Sequence, residues 1–142
     1  MGYNYKEFKT VAVLASQLES GIALNVLGHL SQTMGANMPK EALGREFLTD
    51  KTGIRHRGIS KYPVIVTRVK SSTVRRTIQE ARANPNIILA EFPKEMLDTG
   101  HDDELSAAIS NIEEEQIEYL GALLFGKSEE IDRITGHFML WK

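Results

Sequence analysis

Residues 50–63 combine an aspartate, a histidine, two arginines and two glycines in one short stretch. The stretch shows neither helical nor strand periodicity, and a loop so rich in ionisable groups is costly to order unless something holds it. His56 lies between two arginines, and these cations disfavour its charged form. A neutral imidazole can act as a general base, and Asp50 would orient it if the chain folds back at Gly53. The pattern therefore predicts an Asp50–His56 catalytic pair.

The two arginines and the second glycine of this stretch are candidates for binding an anion. Guanidinium groups bind carboxylates and phosphates through paired hydrogen bonds. Arg55, Arg57 and Gly58 are therefore expected to contact a small polar or anionic ligand. The alternative is that Asp50 only holds the loop through a turn bond to the backbone, which would leave the arginines solvated.

A second set of candidate residues follows the first predicted strand. The apolar run 10–15 is typical of a strand buried on both faces, and a helix is expected to follow it. In open α/β sheets, ligands bind at the carboxyl ends of the strands. Ser20, Gly21 and Asn25 are therefore predicted to form the wall of a ligand pocket that faces residues 50–63.

Neither a nucleophile nor a metal site is indicated. No serine lies in the Gly-x-Ser-x-Gly pattern of a nucleophile elbow, and Ser20 is more typical of a helix N-cap. The chain has no cysteine, and the cluster of Asp98, His101 and Asp102 lacks the spacing of a zinc motif. No metal or cofactor is therefore expected, and hydrolysis is one option for the pocket beside simple binding.

The composition is that of an ordinary globular protein. At 142 residues the chain fits one domain, residues 1–142, with 42% hydrophobic and 25% charged residues. No apolar run approaches the roughly 20 residues that span a bilayer, and the start of the chain does not resemble a signal peptide. With no cysteine present, a cytoplasmic location is expected.

The net charge of −2 hides a strong asymmetry along the chain. Residues 40–82 hold eleven Lys or Arg against four Asp or Glu, whereas residues 86–132 hold two against thirteen. A basic segment of this kind can bind RNA or tRNA. Alternatively, the basic and acidic halves face each other within a monomer or across a homodimer. The second alternative is favoured, and a non-enzymatic homodimeric interaction module is a further functional hypothesis.

Periodicity and turn residues predict an α/β fold. Strands are expected at the apolar runs 10–15, 64–69, 86–92 and 119–125. Residues 37–61 are expected to be irregular, apart from one short helical turn. Helices are expected to be capped or begun by these residues: Ser20, Ser71 or Ser72, Asp102 or Asp103, and Ser128. The result is a four-stranded, mixed or parallel sheet between helices.

The end of the chain resembles a known family. Residues 126–140 read Gly-Lys-Ser-Glu-Glu-Ile-Asp-Arg-Ile-Thr-Gly-His-Phe-Met-Leu. This is similar to the end of type II peptidyl-tRNA hydrolases, where a strand, a glycine turn and a helix carry a Thr-Gly-His stretch. The first strand, its glycine-containing loop and the helix with His29 are similar in layout. The resemblance implies that family's fold, a three-layer α/β/α sandwich around a four-stranded mixed sheet.

The middle of the chain resembles a narrower, uncharacterised branch of that fold, a domain of unknown function. The residues that carry this resemblance are 20–25, Leu43, Gly44, Asp50, Gly53, 56–59 and Pro63. The hydrolases have lysines in their first loop, but the loop that follows Ser20 here has none. The Arg-Thr pair of their Asp-Ala-Gly-Arg-Thr motif is also missing from residues 96–102. The resemblance therefore implies the fold and not the reaction.

Overall fold

The computed structural model describes residues 6–142 and folds them into alternating strands and helices. In chain order the elements are β1 (Phe8–Ala15), α1 (Ser20–Asn37), a 3₁₀ turn (Lys40–Ala42), β2 (Phe47–Thr49), β3 (Arg55–Arg57), β4 (Val64–Val69), α2 (Ser71–Arg82), β5 (Ile88–Pro93), α3 (Glu95–Asp98), α4 (Asp102–Ser110), a second 3₁₀ turn (Glu114–Gln116), β6 (Tyr119–Lys127), α5 (Ser128–Thr135) and β7 (Met139–Leu140).

Five of the strands described between residues 6 and 142 form one mixed sheet in the order β5-β6-β1-β4-β7. β1 pairs in parallel with β4 and antiparallel with β6. The two outer strands, β5 and β7, pair antiparallel with β6 and β4. β1 and β6 are buried on both faces, which explains why both sequences are continuous apolar runs.

Helices pack against both faces of this sheet. Alternate residues of β1 point to opposite sides, with Ala12 and Leu14 on one side and Val11 and Val13 on the other. The first side is covered by α1, through Ala23, Val26, Leu30 and Met34. The second is covered by α2 and α5, through Val74, Ile78, Ala81 and Ile131. None of the helices in the described range is long and apolar enough to cross a membrane.

The sheet has one strand more than the sequence predicts. The additional strand is β7, whose two residues pair with Thr67 and Arg68 of β4. A strand of two residues has no measurable periodicity, so its pattern could not be recognised. The third predicted strand begins two residues later than expected and includes Pro93, which is tolerated at the end of an edge strand.

The serines that were expected to cap helices lie one position inside them. α1, α2 and α5 begin at Ser20, Ser71 and Ser128, so the residue before each serine holds the capping position. In none of these three helices does that residue make a side-chain capping bond. α4 begins at Asp102, as expected, and the predicted helical turn before the first hairpin is the 3₁₀ turn at Lys40–Ala42.

Candidate functional site

Residues 43–60 form a β-hairpin, the arm, that stands out from the sheet. Its strands β2 and β3 pair in an antiparallel register, and Leu43 and Ser60 pair at its base. Most of its residues are exposed, while Phe47, Gly58 and Ser60 are partly buried. The prediction of an irregular segment at 37–61 is therefore wrong for the arm, whose strands are too short and too exposed to show an apolar pattern.

The tip of the arm is held by the Asp50 carboxylate. One carboxylate oxygen accepts bonds from the Thr52 hydroxyl (2.6 Å), the Thr52 N–H (2.9 Å) and the Ile54 N–H (3.1 Å). The other lies 2.8 Å from His56 Nε2. These bonds, led by those from the Thr52 hydroxyl and His56, lower the pKa of Asp50 from 3.8 to about 2. The chain turns back at Gly53, with a φ of 94° that favours glycine.

The structure brings Asp50 and His56 together but separates them from the arginines. Successive residues of a strand point to opposite faces. Arg55 and Arg57 therefore lie on one face of the arm, where the Arg55 guanidinium stacks 3.9 Å from the centre of the Phe47 ring. His56 lies on the other face, opposite Leu48. Because side chains alternate along the strand, the expected histidine base and the two expected anion-binding arginines lie on opposite faces of the arm.

Gly58 follows β3 and lies against the backbone of Arg45 and Glu46 on the other side of the arm. Its N–H donates to the Glu46 carbonyl at 2.8 Å. A Cβ on Gly58 would be 1.5 Å from the Arg45 carbonyl oxygen. This glycine is therefore required by the backbone of the arm, whether or not it also contacts a ligand.

The residues predicted on α1 point in different directions. Ser20 lines a cavity of about 200 Å³ together with Leu24, Leu27 and Trp141. Gly21 and Asn25 are exposed but do not line this cavity. The cavity also does not include Asp50 or His56, so the two predicted walls do not meet there.

An open groove, the α1 groove, runs along one side of α1. Side chains at helical spacing on α1 line two cavities along this groove. Leu24 and Leu27 line the 200 Å³ cavity at one end, and Met34 and Met38 line a cavity of about 320 Å³ at the other. The floor is the β1–β4 pair, where Val64 remains 53% exposed. α1 lies over β1, β5 and β6, and this placement leaves the β4 side of the sheet open.

The larger cavity is mostly apolar but polar at four positions of its lining, one of which is Thr10 of β1. Its apolar lining consists of Met34, Met38, Pro39, Ala42, Leu43, Val64 and Leu123. Ser31 from α1, Lys40 from the 3₁₀ turn and Ser60 from the base of the arm supply hydroxyl and ammonium groups. Sequence reasoning missed these three residues because each looks like an ordinary surface position until the arm and α1 are placed side by side.

Part of the charge asymmetry is resolved inside the monomer. Arg75 and Arg82 of α2 bind the acidic partners Glu114 and Glu91, at 3.0 and 2.6 Å. The Tyr119 hydroxyl donates to Glu114 at 2.7 Å and thereby lowers the pKa of that carboxyl. Burial, followed by the bond to Glu114, raises the pKa of Tyr119. RNA or tRNA binding through residues 40–82 stays a prediction, and these two arginines are already engaged.

The acidic and histidine side chains after β5 do not assemble into a metal site. Asp98 and Asp102 flank His101, whose Nε2 lies 3.1 Å from Glu104. Among residues 6–142, no group of three or more His, Cys, Asp or Glu is placed to hold a metal ion. His101 and Glu104 are three residues apart in the chain, and their side chains form an exposed contact.

The fold and the groove together define a mixed α/β protein with a five-stranded sheet and an open apolar site beside its first helix. The chain belongs to the family described as "Protein of unknown function (DUF2000)", which it matches over residues 8–142. No curated protein matches the sequence.

One solved structure shares this fold along nearly its whole length. It is the protein of unknown function Atu0240 from Agrobacterium tumefaciens strain C58, with a TM-score of 0.84 and 23% sequence identity. The match covers 96% of this chain and 98% of that chain. At this identity the likeness shows the fold alone. The resemblance to type II peptidyl-tRNA hydrolases stays a prediction.

Proposed function

We propose that the protein binds a small amphipathic anion, an apolar body with one anionic head group, in the larger cavity of the α1 groove. The observation that carries this proposal is the 320 Å³ cavity with an apolar lining and a lysine at its edge. The ligand is again a small anion, as the sequence predicts. The proposed site, however, is the cavity beside the base of the arm and not the loop at its tip. We also propose the hydrolase-like α/β/α sandwich, because helices cover both faces of a mixed sheet.

The apolar part of the ligand would pack between α1 and the sheet. Small-molecule sites are mostly apolar clefts of about 300–1,000 Å³ with a few polar groups, and this cavity lies at the lower end of that range. The exposed Leu43 and Val64 at its edge would lose contact with water when a ligand binds, which favours binding.

The head group would lie near Lys40. Its ammonium group can donate up to three hydrogen bonds and carries the positive charge that a carboxylate or phosphate requires. The hydroxyls of Ser31 and Ser60 lie in the same lining and can donate to the same head group. Because Lys40 is exposed, its contribution to affinity is expected to be modest.

Binding, rather than hydrolysis, is the function proposed for this site. Asp50 and His56 lie outside the lining of both groove cavities. Both Asp50 oxygens are engaged in closing the turn. A hydrolytic role for this pair stays a prediction from the sequence.

Calorimetric titration with decanoate and decanol tests the proposal. Wild-type protein is expected to bind both compounds, and decanoate more tightly. Gly35→Leu should abolish binding because Gly35 lines the cavity and has open space at its Cβ position. Lys40→Gln should weaken decanoate about two- to fivefold, the size of one exposed ion pair, and leave decanol unchanged.

Gly28→Leu is the matched control for the cavity-filling variant. Gly28 lies on the same helix and also has open space at its Cβ position, but it does not line either groove cavity. This control should bind as wild type does. Equal loss in Gly28→Leu and Gly35→Leu, or no binding to wild type, would contradict the proposal.

A further inference from the structure

The arm is well ordered by internal bonds but leaves apolar side chains uncovered. Asp50 closes its tip and Gly58 fixes its base. Nevertheless Leu48 is 46% exposed, Ile54 60% and Ile59 75%. Leu48 pairs with His56, two residues from Ile54, and neighbouring exposed aliphatic side chains mark interaction surfaces. The arm therefore has the character of a docking element.

The opposite face of the arm carries cations. Arg55 and Arg57 lie side by side there, with Arg55 held over the Phe47 ring. Within the described residues, no ion pair joins Arg45, Arg55 or Arg57 to a carboxylate. On this face the arginines lie beside Phe47, and arginine and aromatic side chains are both enriched at protein interfaces.

The same chain carries a surface of opposite character. Residues 102–118 hold seven Asp or Glu and no Lys or Arg. α4, which begins this segment, buries none of its side chains fully. Leu105, Ala108 and Ile109 remain only partly covered. Glu104, Glu114 and Glu118 pair with cations or a histidine of the same chain. The remaining acids of this segment, among them Asp103 and Glu115, have no ion pair within the described residues.

From this complementarity we infer that the arm docks on residues 102–118 of a second copy of the chain. A two-fold axis would use each arm and each acidic surface once, so that both contacts close within a dimer. The exposed aliphatic residues favour a protein over a nucleic acid, because single-stranded nucleic acids bind aromatic stacking surfaces. The one aromatic residue of the arm, Phe47, is already partly covered by Arg55.

Sedimentation velocity with two charge-reversed variants tests this inference. The first variant is Arg55→Glu with Arg57→Glu, and the second is Asp103→Lys with Glu115→Lys. Wild type is expected to be a dimer at about 100 µM, and each variant alone should dimerise at least about tenfold more weakly. An equimolar mixture of the two should recover a dimer, because both contacts of the mixed pair are again complementary.

Lys70→Glu with Arg76→Glu is the matched control, since both residues are exposed and lie outside the arm. This variant should remain dimeric. Raising the salt from about 50 to about 500 mM should weaken the wild-type dimer, because exposed charges are screened.

Three results would overturn the inference. The first is a monomeric wild type at about 100 µM, which is a concentration that detects even weak dimers. The second is a dimer that the arm reversal leaves intact. The third is a mixture of the two reversed variants that stays monomeric although each is folded by circular dichroism. A monomeric wild type that instead binds tRNA in a salt-dependent manner would assign the arm to nucleic acid.

Discussion

Asp50 determines the conformation of the arm tip through the Thr52 hydroxyl, two backbone N–H groups and His56. These bonds explain why the carboxyl stays ionised in acid, and they also explain why the residue is poorly suited to proton transfer. A carboxyl with a pKa of about 2 does not itself accept a proton near neutral pH, so in the predicted pair Asp50 orients His56 and the imidazole is the expected base.

The pH dependence of the arm follows from the lowered pKa of Asp50. The folded state binds fewer protons than the unfolded state between pH 2 and 3.8, so stability rises with pH in this window. The contribution of Asp50 is fully present above pH 3.8 and is lost as the pH falls toward 2. Carboxyl NMR titration should give a midpoint of about 2, and Thr52→Ala should raise it. A wild-type midpoint near 3.8 would contradict the geometry.

Gly58→Ala should disrupt the arm without unfolding the sheet. The new Cβ would clash with the Arg45 carbonyl oxygen, so the two strands must separate and the bond from Gly58 to Glu46 is lost. Hydrogen exchange is expected to show lost protection at the paired amides of β2 and β3. The amides of β1 and β6 should keep theirs. Unchanged protection in the arm would show that the close approach is not as tight as described.

The contact between Asp50 and His56 was predicted from the sequence, but the direction of the two flanking arginines was not. The sequence predicted that Asp50 and His56 meet, and they do. It did not predict that Arg55 and Arg57 point away, although the order Arg-His-Arg alone determines this once the segment is a strand. The missing information was the hairpin itself. Each of its strands has three residues and only Phe47 among the six is partly buried, so the segment shows no apolar alternation.

At the scale of elements, α1 is the part of the molecule best explained by its sequence. Its apolar stripe predicts a buried face at Ile22, Val26, Leu27, Leu30 and Met34. Val26, Leu30 and Met34 are buried, Leu27 is partly buried, and Ile22 stays exposed. The open side of the helix was not predictable, because it depends on which strands lie beneath. The order of strands along the sheet places β4 beside β1, and only that order opens the α1 groove.

Gly28→Ala should stabilise the protein. The glycine lies inside α1, its Cβ would meet nothing within 4 Å, and it lines neither groove cavity. Alanine is favoured over glycine inside helices by about 0.5–1 kcal/mol. Denaturant unfolding should therefore show a stability gain of that size. A loss of stability would indicate that this face of α1 packs against something, such as a second copy of the chain.

At the scale of the whole molecule, the α/β class and four of the five sheet strands follow from apolar runs and turn residues. The site could not be assembled in the same way. Ser31 and Lys40 belong to the α1 end, whereas Ser60 belongs to the base of the arm. They are brought together because the arm folds back on itself, so that Ser60 pairs with Leu43 next to the 3₁₀ turn, and the sequence shows no local pattern for that hairpin.

The charge asymmetry also becomes clearer at this scale. Arg75 and Arg82 bind acids of the same chain, while the cations of the arm are presented outward. Two of the eleven basic residues in 40–82 therefore pair within the monomer, and the arginines of the arm are the ones that we propose to contact a second copy. The charge-reversed variants distinguish these two roles.

The most direct test of the proposed function is the location of a bound amphipathic anion. Amide NMR shifts should be recorded for wild-type protein titrated with decanoate. The proposed function predicts that the shifted amides cluster at Ser31, Gly35, Lys40 and Ser60, around the larger cavity of the α1 groove. Shifts confined to Asp50, His56 and their neighbours at the arm tip, or no saturable shifts at all, would contradict it.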